Sequence, residues 1–299
     1  MLLPRDDAHD FHRLYAAVTA SLDEFCRDAL RNGTIVKAEG DWYRSLVDGF
    51  TDEYAKWGKP TNANIQTFLD DFSAAPKLVR LAGHAFLHIG YDLPRAIADH
   101  LQPSTPPLPA LPPRSRLRQL FLWPGPMFRQ VFREHIKCGA FGPLARLFGQ
   151  LEPMEVLAYW VVALRSIAWI HAESLADYPK AKRSVAEANL ARALNATAAG
   201  VGHFHWRIAR LDNSKLLQVA PVGLLALTEW PLGPWFLAGA VLGLAVAAYL
   251  ARSRSIALAI DTMAQYFAIE ATRAIQAGEH EYQPLPYESN SSHRRTKTD

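Results

Sequence analysis

Apolar residues recur every three to four positions along most of this chain, and the strict alternation of a half-buried strand is scarce. An amphipathic helix is predicted from Phe11 to about Leu30, stopped by Asn32-Gly33. A second covers residues 42–57, with Leu46, Val47, Phe50, Tyr54 and Trp57 on its apolar side and Gly58-Lys59-Pro60 as its stop. Shorter helices follow at about 64–72 and from Pro76 to about Tyr91. Residues 116–139 read as helical with a break at Trp123-Pro124-Gly125-Pro126. Long helices are predicted from Met154 to about Leu175 and from Ala181 to about Leu211. The fold class is all-α, a multi-helix bundle, with no hairpin signal between strands and no internal repeat.

Two segments interrupt that pattern. Residues 103–113 hold six prolines in eleven positions, a density that no helix or central strand survives. They read as an extended connector inside one helical domain, 1–211. As a peptide ligand for an SH3-like domain, Pro109 and Pro112 would lie near Arg114; a rigid surface loop is the simpler reading.

The second is residues 216–250, with one charge, Glu229, in thirty-five positions. Its centre, Glu229-Trp230-Pro231-Leu232-Gly233-Pro234-Trp235, is a turn. Each arm of roughly 17 residues would make about 26 Å of helix, slightly less than the ~30 Å hydrocarbon core of a bilayer. Arg207, Arg210 and Lys215 precede it, Arg252 and Arg254 follow, and Gly239 and Gly243 offer a close-packing face. The expectation is a C-terminal apolar helical hairpin at 212–255, inserted in a membrane, with both ends and the bulk of the chain cytoplasmic. Pro221 favours a shallow or kinked insertion. Burial inside the protein is the competing reading, weakened because the second arm is apolar all round. Residues 256–278 should return as an amphipathic helix packed on the body, and 279–299 read as a disordered basic tail.

Composition narrows the function classes. The chain has 299 residues, 49% hydrophobic and 20% charged, so it is neither a disordered chain nor a polytopic membrane protein. Its net charge of +3 is spread out, and no nucleic-acid partner is expected. Cys26 and Cys138 lack zinc or redox spacing, which fits a reducing compartment. The N-terminus turns acidic before an apolar stretch forms, so no secretory signal is expected. A phosphate loop, a GxSxG elbow and a dinucleotide fingerprint are all missing, which weakens nucleotide-dependent and serine-hydrolase readings.

The chemistry concentrates in residues 81–94, LAGHAFLHIGYDLP, where His84, His88 and Asp92 stand four residues apart and would share one helix face. Imidazole and carboxylate groups are costly to bury unless something satisfies them, either a structural partner or a bound ligand. A divalent metal (Fe, Mn or Zn) would accept His88 and Asp92, with His171 completing the set from a facing helix. Asp92 could instead cap the next helix, with Pro94 in its first turn. Arg165, Trp169 and Glu173 form a second polar stripe on a long helix, which is otherwise an ordinary amphipathic one. His203-Phe204-His205-Trp206-Arg207 suits a membrane-interface collar better than a chelate, because alternating histidines cannot share a helix face. Asp52-Glu53 and Asp70-Asp71 read as solvated helix surface, with Asp52 or Glu53 as a further candidate carboxylate.

His88-x-x-x-Asp92-Leu93-Pro94, the aromatic helix ending Phe50…Tyr54, and Arg165…Ala168-Trp169 together resemble a bacterial and fungal helical family of unknown function, domain of unknown function 5995. The resemblance covers roughly residues 41–211. It carries over His88, Asp92, Arg165 and Trp169. His84 matches no family position, while Phe86 and Gly90 stand where the family has asparagine. It implies no activity, but it moves the weight from the His84–His88 pair to His88–Asp92.

The resulting expectation is a membrane-associated enzyme acting on a small apolar or lipid-like substrate. His88 would be a metal ligand or general base, Asp92 would orient it or share the metal, and Arg165 would bind an anionic group. A metal-dependent hydrolase and an oxygenase both remain open. The alternative is a non-catalytic, membrane-anchored binding or scaffold protein in which His88 and Asp92 are structural.

Overall fold

The structure is a computed structural model that describes residues 6–56, 62–73, 77–102, 112–125, 127–128, 130–131, 153–209, 233–278 and 280–284. These residues form α1 (Asp6–Arg31), α2 (Lys37–Ala55), α3 (Ala63–Ser73), α4 (Lys77–Leu87), a π-helical turn (His88–Asp92) and α5 (Leu93–Leu101). There follow α6 (Arg114–Leu122), α7 (Pro153–Asp177), α8 (Lys180–Ala209) and α9 (Gly233–Ala277). Among the described residues there is no strand, and the all-α bundle stands as expected.

Local chemistry explains the element ends. Gly33 ends α1 at φ 68°, the left-handed conformation that glycine adopts without a Cβ penalty. At the start of α2 the Val36 N–H donates to the Glu39 carboxylate at 3.0 Å, which occupies one of the N–H groups left open at a helix N-terminus. Arg116 of α6 clamps the same carboxylate at 2.6 Å, so one glutamate both caps α2 and ties α6 to it.

The centre of the bundle is a single rod, residues 77–101, formed by α4, the π turn and α5. It packs against α2 and α7, while α9 lies along α7 and α8. Trp169, Phe86, Phe267, Leu157, Leu164 and Ile97 fill the space between them with almost no exposure. Each such side chain stabilises the fold by roughly 1.5–3 kcal/mol relative to an exposed one.

The rod differs from the sequence expectation of a helix ending near Tyr91 with Asp92 capping the next. Asp92 has helical torsions (φ −73°, ψ −43°) and makes no cap hydrogen bond. Pro94 has no N–H to offer the carbonyl four residues back, and the chain widens by one residue rather than stopping. The Leu93 N–H then reaches back five residues to the His88 carbonyl. Gly90 is required in this turn: a Cβ there would lie 2.2 Å from Cζ of Phe267 on α9.

Charged residues pin the rod from outside. Arg95 meets Glu53 of α2 at 2.6 Å and Glu187 of α8 at 3.1 Å. Arg183 bonds Asp99 at 2.7 Å and the Arg95 carbonyl at 2.9 Å. Glu53, expected on a solvated surface, is therefore buried by this network, while Asp52 beside it is exposed.

The C-terminal elements also differ in layout from expectation. The boundary at 255/256 is not marked by a break, because the second apolar arm and the amphipathic segment form the single 45-residue helix α9. Residues 280–284, assigned to a tail, dock on α8: Asn189 donates to the carbonyls of Gly278 and His280, accepts from the Tyr282 N–H, and Tyr282 is buried. The hairpin's first arm and turn (216–232), most of the proline connector, Cys138 and residues 285–299 lie outside the described residues. Of the second arm, the backbone is described together with an exposed Gly243. Among the described residues, no helix is long and apolar enough to cross a membrane.

Candidate functional site

The π turn carries the candidate pair into the core. His88 and Asp92 are each 2% exposed, and Nδ1 of His88 lies 3.0 Å from Oδ2 of Asp92. A carboxylate only accepts, so Nδ1 carries the proton and donates, which places the imidazole lone pair on Nε2. Burial pushes the His88 pKa below its ordinary value, with the Asp92 hydrogen bond and charge opposing that shift. The imidazole is thus held neutral, in one tautomer, at pH 7.

Aromatic rings fix its plane. Phe50 stacks on it face to face at 3.6 Å between centroids, and Tyr15, Tyr54 and Phe11 surround it at 4.9, 5.5 and 5.7 Å. Thr51 donates to the Val47 carbonyl, so the Tyr15 hydroxyl, 2.7 Å from Thr51 Oγ1, is the donor in that pair. Burial pushes the Tyr15 and Tyr54 phenols up to about 12, leaving both protonated.

His88 lines a half-enclosed cavity of about 80 Å³ between α1, α2, the rod and α7. Its other walls are almost wholly apolar, and they include Arg165, 5% exposed. Nη2 of Arg165 donates to the Phe121 carbonyl, and its guanidinium lies over the rings of Phe121 and Phe128. Burial lowers the Arg165 pKa while the nearby Tyr43 hydroxyl raises it. A guanidinium keeps its charge in proteins, so the cavity offers a neutral base on one wall and a fixed cation on another.

The structure thus brings His88, Asp92 and Arg165 to one place and leaves the other candidates elsewhere. His171 is buried but does not line the cavity; its two ring nitrogens make no hydrogen bond among the described residues, and burial lowers its pKa to about 4. Position 171 is six residues beyond Arg165, about 120° around α7, so it turns away. Among the described residues no group of three His, Cys, Asp or Glu side chains could hold a metal ion, so the expected His88/Asp92/His171 set is not assembled. Trp169 packs between Trp42, edge to face, and Phe121, tilted by 37°. His84 is half-buried, 5.8 Å from the ring of Phe11, and stays off the cavity. The backbone of residues 203–207 belongs to α8; their side chains lie outside the described ones.

Tyr43, Phe121 and Phe128, none of them singled out from the sequence, complete the Arg165 side. Their signal lay only in being aromatic at apolar positions.

Fold and site together define an all-α protein with an internal apolar cavity bearing a His–Asp pair and an arginine. No family model, no curated protein and no solved structure matches the chain.

Proposed function

We propose that this protein is a membrane-associated enzyme in which His88, oriented by Asp92, moves a proton on a small apolar substrate held in the helix-lined cavity. One observation carries the reading: a neutral, tautomer-fixed imidazole stands in the wall of an apolar cavity. A base of that kind works at neutral pH without first losing a proton to water, and it contributes about 10²–10⁴-fold where its lone pair reaches the substrate. Asp92 stabilises the imidazolium formed on proton uptake, and the surrounding rings exclude competing water. The scheme needs no metal. The motif likeness to the helical family of unknown function belongs to the same proposal, since two of its four carried-over residues, His88 and Arg165, line the cavity.

Membrane association rests on residues 216–250 carrying a single charge and on the helix that leads away from them into the core. The tight aromatic enclosure of His88 favours one competing reading, a binding module in which the pair only holds the rod in place.

The test uses the full chain in lipid nanodiscs, incubated in D2O with a panel of small apolar esters and ketones. Ester hydrolysis, or deuterium entering the C–H next to a carbonyl, should fall at least about 100-fold in His88→Gln and Asp92→Asn proteins of unchanged helicity. Panel members that occupy the cavity by NMR but emerge unchanged would establish the binding module instead. Carbonate extraction tests the attachment: the chain should stay with the membrane pellet, and its release would overturn that part.

A further inference from the structure

Among the described residues that line the cavity, Arg165 alone carries a full charge. Its contacts hold the guanidinium flat without neutralising it. Nη2 donates to the Phe121 carbonyl, and Cζ lies 4.4 Å from the centroid of Phe121 and 4.0 Å from that of Phe128. Nη1 is buried with no hydrogen-bond acceptor among the described residues, and none of their carboxylates pairs with this side chain. The arginines of the neighbouring network, buried Arg183 and half-buried Arg95, are treated differently. Arg95 meets Glu53 and Glu187, and Arg183 meets Asp99 and Glu187. A buried cation is costly unless an anion meets it, and among the described residues no anion meets Arg165.

We propose that the ligand supplies it: Arg165 anchors the carboxylate of a small apolar acid, such as a short fatty acid, whose hydrocarbon part lies along the cavity. This rests on the reading of the cavity as a small-molecule site. A carboxylate suits the geometry better than a phosphate. Nη1 of the guanidinium is left for a ligand while the Tyr43 hydroxyl bonds the same side chain, no second cation lines the cavity among the described residues, and His88 in its wall is neutral. A void of about 80 Å³ takes the headgroup and the first carbons, and its half-open side lets a longer chain extend outward. Phe121 and Phe128 hold the guanidinium in place before the ligand arrives, which lowers the ordering cost of binding.

The test titrates hexanoate, 1-hexanol and hexylammonium by calorimetry into the full chain in lipid nanodiscs at neutral pH, with empty nanodiscs subtracted. Hexanoate should bind at least about tenfold more tightly than hexanol, and hexylammonium should not bind. Arg165→Met should abolish the preference for hexanoate while keeping hexanol binding. Should that variant fail to fold, the ranking of the three ligands on the unaltered chain decides. Leu46→Trp, which fills the cavity, should remove binding of both; hexanoate binding that survives it lies elsewhere and overturns the proposal. Hexanol binding as tightly as hexanoate overturns the carboxylate anchor alone. Failure of all three ligands to bind overturns the cavity reading as well.

Discussion

The imidazole of His88 lies flat on the ring of Phe50, 3.6 Å between centroids and 14° between planes. The stack does two things at once. It orients the lone pair, and it removes one face of the imidazole from water, adding to the burial that is the leading cause of the lowered His88 pKa. Phe50→Ala should therefore move the His88 midpoint up toward the ordinary 6.5, read by NMR titration of the ring proton. An unmoved midpoint would mean that burial by Phe50 does not set it.

His171 makes stability depend on pH. Its folded pKa is about 4 against 6.5 for the free side chain, so the unfolded chain takes up a proton more readily. The folded state keeps its full advantage above pH 6.5 and loses it as pH falls toward 4. The loss is on the order of 3 kcal/mol by linkage. His171→Leu removes a buried imidazole that bonds to no described residue, so it should cost little at pH 7 and flatten the profile in acid. Urea melts across that range compare the two proteins, and parallel profiles would refute the assignment.

Gly90 and Phe267 are matched in shape. Gly90→Ala pushes a methyl group into the Phe267 ring and should destabilise the fold by about 1–3 kcal/mol. Phe267→Leu should be destabilising alone, yet partly restore the Gly90→Ala protein. Thermal unfolding of both single variants and the double variant measures that coupling, and additive losses would show that the two positions act independently.

Asn189 holds the segment after α9 through three hydrogen bonds. Asn189→Ala should free residues 280–284 with a stability cost of about 1–3 kcal/mol. Hydrogen exchange at the Tyr282 amide should accelerate, and unchanged protection there would contradict the docking.

Much of this architecture was readable because helical periodicity is a local signal. Phe11, Leu14 and Leu22 mark the buried face of α1, and Asn32-Gly33 announces its end. The turn at His88–Asp92 was not readable. Asp92-Leu93-Pro94 carries every mark of a helix start, and the close approach of Phe267 to Gly90 in the turn comes from some 170 residues away in sequence. The His88–Asp92 pair was legible from its four-residue spacing. That His88 and Arg165 line one cavity was not, because the rod and α7 share no local pattern. His171 shows the opposite error: six residues of helix already turn it away from Arg165. Glu53 was hidden because its burial comes from Arg95 and Lys56 pairing with it, not from its own surroundings in sequence.

The uninterrupted course of α9 has a mechanical consequence. Forty-five residues of helix make a shaft of about 68 Å with no joint along it. Phe267 is carried on the same shaft as residues 233–250, and it meets Gly90 with no slack. A tilt imposed at the apolar end is therefore delivered to the turn that holds His88 against Asp92. The apolar end of α9 and the alignment of His88 with Asp92 are two ends of one lever.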